Sequence, residues 1–143
     1  MSTFSSKVNN TLLTETDLQL LTANIASSAT YEVTGGMRVT QSSATPDFKF
    51  AFTCAPSCTQ YYMTATAVPD SGATASVIGT SEGVGYSLQM PSGENLVTFN
   101  GFVTTSSSIL QTSISFAWAQ NTTASGNATI LQAASFLIYR RVN

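Results

Sequence analysis

Two cysteines, seven carboxylates and no histidine make up the reactive inventory of this 143-residue chain. Without an imidazole, the Ser-His-Asp and Cys-His relays lack their base and the commonest metal ligand is missing. The cysteines lie in Cys54-Ala55-Pro56-Ser57-Cys58. Zinc needs four ligands, and no second cysteine pair exists to complete a set. A redox motif places two residues between its cysteines, not three. That leaves a disulfide-closed loop or two thiols in a turn. The acids Glu15, Asp17, Glu32, Asp47, Asp70, Glu82 and Glu94 are scattered singly. Asp70 and Glu82 sit in turn-like segments, Pro69-Asp70-Ser71-Gly72 and Ser81-Glu82-Gly83, and are the one pair with a route to each other. A glycosidase holds two carboxyl groups about 5–9.5 Å apart. Turn chemistry accounts for both residues more simply, because Asp in such a turn bonds the nearby backbone. Gly83-Val84-Gly85 lacks the following helix of a phosphate loop. The expectation is a protein that is not an enzyme and takes no cofactor or metal. Tyr61-Tyr62, Trp118 and Tyr139 offer rings for stacking on a carbohydrate. Trp118, however, is in register with Phe116 and Ile114, which favours packing in a core or between subunits.

Charge excludes further classes. Charged residues make up 8% of the chain, against about 25% in ordinary soluble domains. The five basic residues, Lys7, Arg38, Lys49, Arg140 and Arg141, form no run beyond the terminal pair. They cannot neutralise a series of phosphates, so no nucleic-acid partner is expected. No apolar stretch approaches the roughly 18–20 residues that span a bilayer, and no membrane association is expected. Met1 to Lys7 lacks a cationic region leading into an apolar one, which predicts synthesis in a cytoplasm. The triplets at Asn9, Asn121 and Asn127 then read as chance matches in a Thr-rich chain rather than glycosylation sites. Serine and threonine fill about 30% of the sequence, well above ordinary usage. The polar surface is therefore neutral and hydroxyl-bearing. With a formal net charge of −2, copies repel one another weakly and a homo-oligomer is expected.

The elements that must position these residues are strands. Tyr31–Thr34, Met37–Thr40 beyond Gly35-Gly36, Phe48–Thr53, Tyr62–Val68, Tyr86–Met90, Leu96–Val103, Leu110–Trp118 and Ser135–Arg140 alternate apolar and polar residues, with turn residues between them. Alternation at period 2 means half-buried strands, and many short strands at regular spacing mean a sandwich or barrel. Leu18 and Leu20 favour a strand over a helical turn. The reading is an all-β chain, a jelly-roll-like antiparallel β-sandwich of eight to nine strands over residues 14–143. Residues 1–13 are expected to be an extended arm, with Phe4, Val8, Leu12 and Leu13 anchoring it on a neighbour.

Three patches are familiar. Phe116-Ala117-Trp118-Ala119-Gln120-Asn121, a Thr-rich turn, and Ala133-Ala134-Ser135-Phe136-Leu137-Ile138-Tyr139-Arg140-Arg141-Val142 resemble a recurring ending of phage virion proteins. Asp47-Phe48-Lys49-Phe50-Ala51-Phe52 resembles a strand of the same proteins, and Glu15-Thr16-Asp17-Leu18 their opening turn. The chain departs from that pattern at Ala133-Ala134, where the family often has Ala-Gly, and in its Cys54–Cys58 loop. The resemblance implies a jelly roll that serves as a capsid cement or decoration protein, or as part of a tail or fibre. A chain starting at Met1 without a fibrous stalk favours the first. The expectation is a homotrimer on the capsid surface of a virion, bound to the phage major capsid protein. The alternative is a tail-tip module that recognises host-surface glycans through Tyr61, Tyr62 and surface threonines.

Overall fold

A computed structural model of the chain describes residues 5–8, 23–44, 47–108, 112–122, 128–132 and 135–143. It is all-β, with two antiparallel sheets packed as a jelly-roll-like sandwich and no helix among the described residues. The strands are β1 (Ser5–Val8), β2 (Ala23–Ile25), β3 (Thr30–Gln41), β4 (Phe48–Ala55), β5 (Cys58–Pro69), β6 (Ala75–Gly79), β7 (Tyr86–Leu88), β8 (Gly93–Thr105), β9 (Thr112–Gln120), β10 (Ala128–Leu131) and β11 (Phe136–Arg141). The large sheet has the order β1-β10-β3-β8-β5-β6, and β11 lies beside β10 on the same edge of β3. The small sheet has the order β2-β9-β4-β7. From β3 onward the chain changes sheet at most connections, the β5–β6 hairpin being one exception.

Eleven strands stand among the described residues, where the sequence led to an expectation of about eight to nine. Part of the difference is short strands such as β2 and β10, whose three or four residues are too few to show a period. In the opposite sense, Gly35-Gly36 is no break: one twelve-residue strand runs straight through it. The cause is β11, which lays Leu137 over Gly35 and the ring of Phe136 over Gly36. A Cβ on Gly36 would stand 3.0 Å from that ring. Here glycine marks a close approach inside a strand, not a turn.

The core follows the alternation closely. Phe48, Phe50 and Phe52 of β4 all point inward, as do Ile114, Phe116 and Trp118 of the adjacent β9. Phe99 reaches them from the large sheet, 5.0 Å from Phe50 and 5.5 Å from Phe116 between ring centroids. Most of these rings meet edge to face, and Trp118 stacks on Phe48. Burying each such side chain stabilises the fold by about 1.5–3 kcal/mol. Trp118 is fully buried within one chain, so its role is the sandwich core.

Ser5–Val8, inside the expected arm, pairs antiparallel with β10 from Ser5↔Leu131 to Val8↔Ala128. Phe4, Leu12 and Leu13, like Leu18 and Leu20, lie outside the described residues, as does the side chain of Val8.

Candidate interaction surface

Several of the described titratable groups are held in structural contacts. Cys54, near the end of β4, and Cys58, opening β5, are joined by a disulfide with Cα atoms 5.6 Å apart. Because β4 and β5 belong to different sheets, this bond pins a crossover between the layers. Glu82 arrives from a second crossover, between β6 and β7. It accepts the backbone N–H of Cys54 at 2.7 Å and of Cys58 at 2.8 Å, one on each carboxylate oxygen. The N–H of Gly83 donates to the Phe52 carbonyl at 2.8 Å and docks the same turn on β4. The ligand atoms of Cys54, Cys58 and Glu82 lie within 4.8 Å of one another. With the sulfurs bonded to each other there is no thiolate for a metal. The cluster is a structural clasp.

Asp70 and Glu82 are far apart. Asp70 donates its N–H to the carbonyl of Glu94 near the start of β8, while Glu82 holds Cys58, whose β8 partner is Thr105 at the other end. β8 has 13 residues, so roughly 35 Å separates the two acids at ~3.3 Å per residue. No glycosidic bond fits between them. Glu32 pairs with Arg140 and Glu94 with Arg38, both on the sheet surface. Asp47 stands in an open cleft of about 410 Å³ with Thr74, Gln89, Met90 and Pro91. Partial burial pushes its carboxyl above the ordinary value, and the N–H of Met90, 3.1 Å away, partly counters this. Among the described residues, no second titratable side chain lines the cleft.

The ring platform, which the sequence offered only as the lesser reading beside core packing, is not assembled. Successive strand residues face opposite ways, so Tyr61 is buried against Phe52 while Tyr62 is 48% exposed. Trp118 is in the core and Tyr139 is half-buried. The neighbour of Tyr62 is instead Phe102, directly across from it on β8.

That pair belongs to a wide surface, the outer face of the large sheet. Register places its side chains in rows across the strands. One row reads Arg140, Glu32, Phe102, Tyr62, and the next Ile138, Thr34, Asn100, Thr64, Ile78. A third reads Phe136, Gly36, Thr98, Thr66, Ser76, and a fourth Arg38, Leu96, Val68. Phe102, Leu96, Val68, Ile78, Phe136 and Ile138 are each about half exposed, between 46% and 55%. Hydroxyl and amide groups fill the ground between them, some bonded across strands, as Thr64 Oγ1 is to the Asn100 carbonyl at 2.9 Å. Both ion pairs are internal to the face, leaving its described side chains at zero net charge. Composition alone does not reveal this surface. The signal lies in the doublets Leu96-Val97, Phe102-Val103, Tyr61-Tyr62 and Ala67-Val68, where alternation fails because apolar residues occupy both faces of one strand.

Comparison of the chain with known proteins finds no matching family model, no matching curated protein and no matching solved structure.

Proposed function

We propose that this chain is a structural protein of a phage virion, a capsid cement or decoration protein that binds the major capsid protein outside the head and stabilises it. The observation that carries the reading is the broad, neutral face of the large sheet, half-exposed apolar side chains set among hydroxyl groups. Such a face suits association with protein better than turnover of a small molecule. The described acids support the same reading, because they clasp loops, pair with arginines or stand alone. The residues of the family resemblance are architectural: Trp118 fills the core, Phe136 covers Gly36, and Arg140 pairs with Glu32. A protein of this kind acts by adding contacts between capsid subunits, and weak charge lets copies lie close together.

The test is addition of the purified chain to expanded heads that lack it. The chain should co-sediment with heads, label their surface in electron micrographs and raise their disruption temperature. The same chain lacking residues 1–13, which also loses the edge strand β1, should lose this binding if the arm anchors it, with circular dichroism reading whether the remaining sandwich stays folded. Labelling of tails together with glycan binding would replace the reading with a receptor-binding module, for which the exposed Tyr62–Phe102 pair is the favouring observation. Absence from the virion would overturn both.

A further inference from the structure

We propose that the outer face of the large sheet is an isologous contact with a second copy of this chain, two large sheets packing back to back. The proposal gives to a second copy the face on which the virion reading rests, and it is tested on the isolated chain, independently of any virion.

Among the described residues, seven of the nine exposed large apolar side chains lie on this face, the other two being Val84 and Val142. Chance scatter over a surface does not gather them so, and contiguous exposed apolar area marks interaction sites. The extent is also right. β3, β8 and β5 each offer about eleven paired residues to this face, β10 and β11 together nine, and β6 five. At ~4.8 Å between strands and ~3.3 Å per residue they cover roughly 740 Å², close to the ~800 Å² that each partner of a stable pair buries.

The pattern of the face identifies the occupant. Consider a two-fold axis lying in the interface, across the strands, between the Asn100 row and the Thr98 row. It lays the Phe102–Tyr62 pair of one copy over the Leu96–Val68 pair of the other, since residues 102 and 96 of β8 and residues 62 and 68 of β5 are equally far from the axis. In β11 it sets Ile138 over Phe136, and in β3 it sets Glu32 opposite Arg38. Apolar rows thus meet apolar rows and an acid meets a base, twice each by symmetry. Two sheets packed face to face adjust by about 30° from twist alone, with side chains interdigitating. A patch complementary to its own rotated image is what an isologous two-fold contact requires.

Sedimentation and light scattering over a concentration series should show a particle of about 30 kDa, twice the 15.0 kDa of one chain. Phe102→Lys and Leu96→Glu each put a charge against an apolar partner across the axis. Each variant alone should dissociate at concentrations at least about tenfold higher than the parent does. Mixed in equal amounts, the two variants should re-form a two-chain particle. One of the two symmetry-related contacts then sets the introduced ammonium against the introduced carboxylate, and the other keeps the parent Phe102 and Leu96. Both positions are exposed in the single chain, so circular dichroism melts should stay near the parent's. Val68→Ser, a milder change in the same rows, weakens association if a charged variant does not fold. A parent that stays monomeric up to about 100 μM, a three-chain particle, association untouched by these changes, or a mixture that does not re-pair would each overturn the proposal. A monomer whose binding to heads is lost on Leu96→Glu would assign the face to a capsid protein instead.

Discussion

Glu82 accepts the backbone N–H of Cys58 at 2.8 Å through one carboxylate oxygen, while its other oxygen holds the N–H of Cys54 at 2.7 Å. Three separate segments meet here: the end of β4, the start of β5 and the turn after β6. The disulfide constrains the same loop covalently, so clasp and bond hold one crossover between the sheets.

Loss of the carboxylate should therefore act on stability. Glu82→Gln keeps a single acceptor oxygen and should cost about 1 kcal/mol, and Glu82→Ala, which strands both donors, about 2 kcal/mol. Opening the five-residue loop by changing both cysteines to serine should cost about 2 kcal/mol. Urea unfolding measures each. Because clasp and disulfide restrain one loop, the triple variant should depart from the sum by at least about 0.5 kcal/mol. Simple additivity would show that the two act independently.

Asp47 provides a pH-dependent test. Burial raises its carboxyl above 3.8, so the folded chain holds this proton more tightly than the unfolded chain. The stabilisation this gives is complete below pH 3.8 and is lost as pH rises through the higher folded value. Asp47→Asn stays uncharged throughout. Asn also tolerates the positive φ of 49° at this position and offers an oxygen to the Met90 N–H. The variant should melt slightly above the parent at pH 7, and the gap should close toward pH 3.8. A gap that widens in acid would contradict the assignment.

Tyr61 should matter at the other end of the scale. Its hydroxyl is buried with no hydrogen-bond partner among the described residues, and burial drives the phenol well above its ordinary value of 10.0. Unfolded chains then lose this proton first, so stability falls as pH rises beyond about 10. Tyr61→Phe removes both the stranded hydroxyl and the ionisation. It should raise stability by about 1 kcal/mol at pH 7, and by more above pH 10, in paired thermal melts. A loss of stability at pH 7 would mean that the hydroxyl does have a partner.

Alternation made much of the fold legible. The three phenylalanines of Phe48–Phe52 and the Ile114, Phe116, Trp118 series each occupy one face of a strand, and they form the centre of the core. The same rule failed at Gly35-Gly36, where a local turn signal was overruled by Phe136 and Leu137, about one hundred residues further along the chain. It also could not join Glu82 to Cys54 and Cys58, because nothing in a run of residues states which crossovers will stack. The reactive inventory was readable at once, since absent histidine and scattered acids are facts of composition.

What the sequence by itself determined is the class of the protein: strands rather than helices, an aromatic core, and a surface of hydroxyl groups with few charges. These follow from residue type and period, which are local. What only the tertiary structure decided is which residues become neighbours. Cross-strand register set Phe102 beside Tyr62 and Leu96 beside Val68, and so turned four broken alternations into one continuous face. Register depends on pairings between distant segments, and each pairing is chosen by the packing of the whole sandwich.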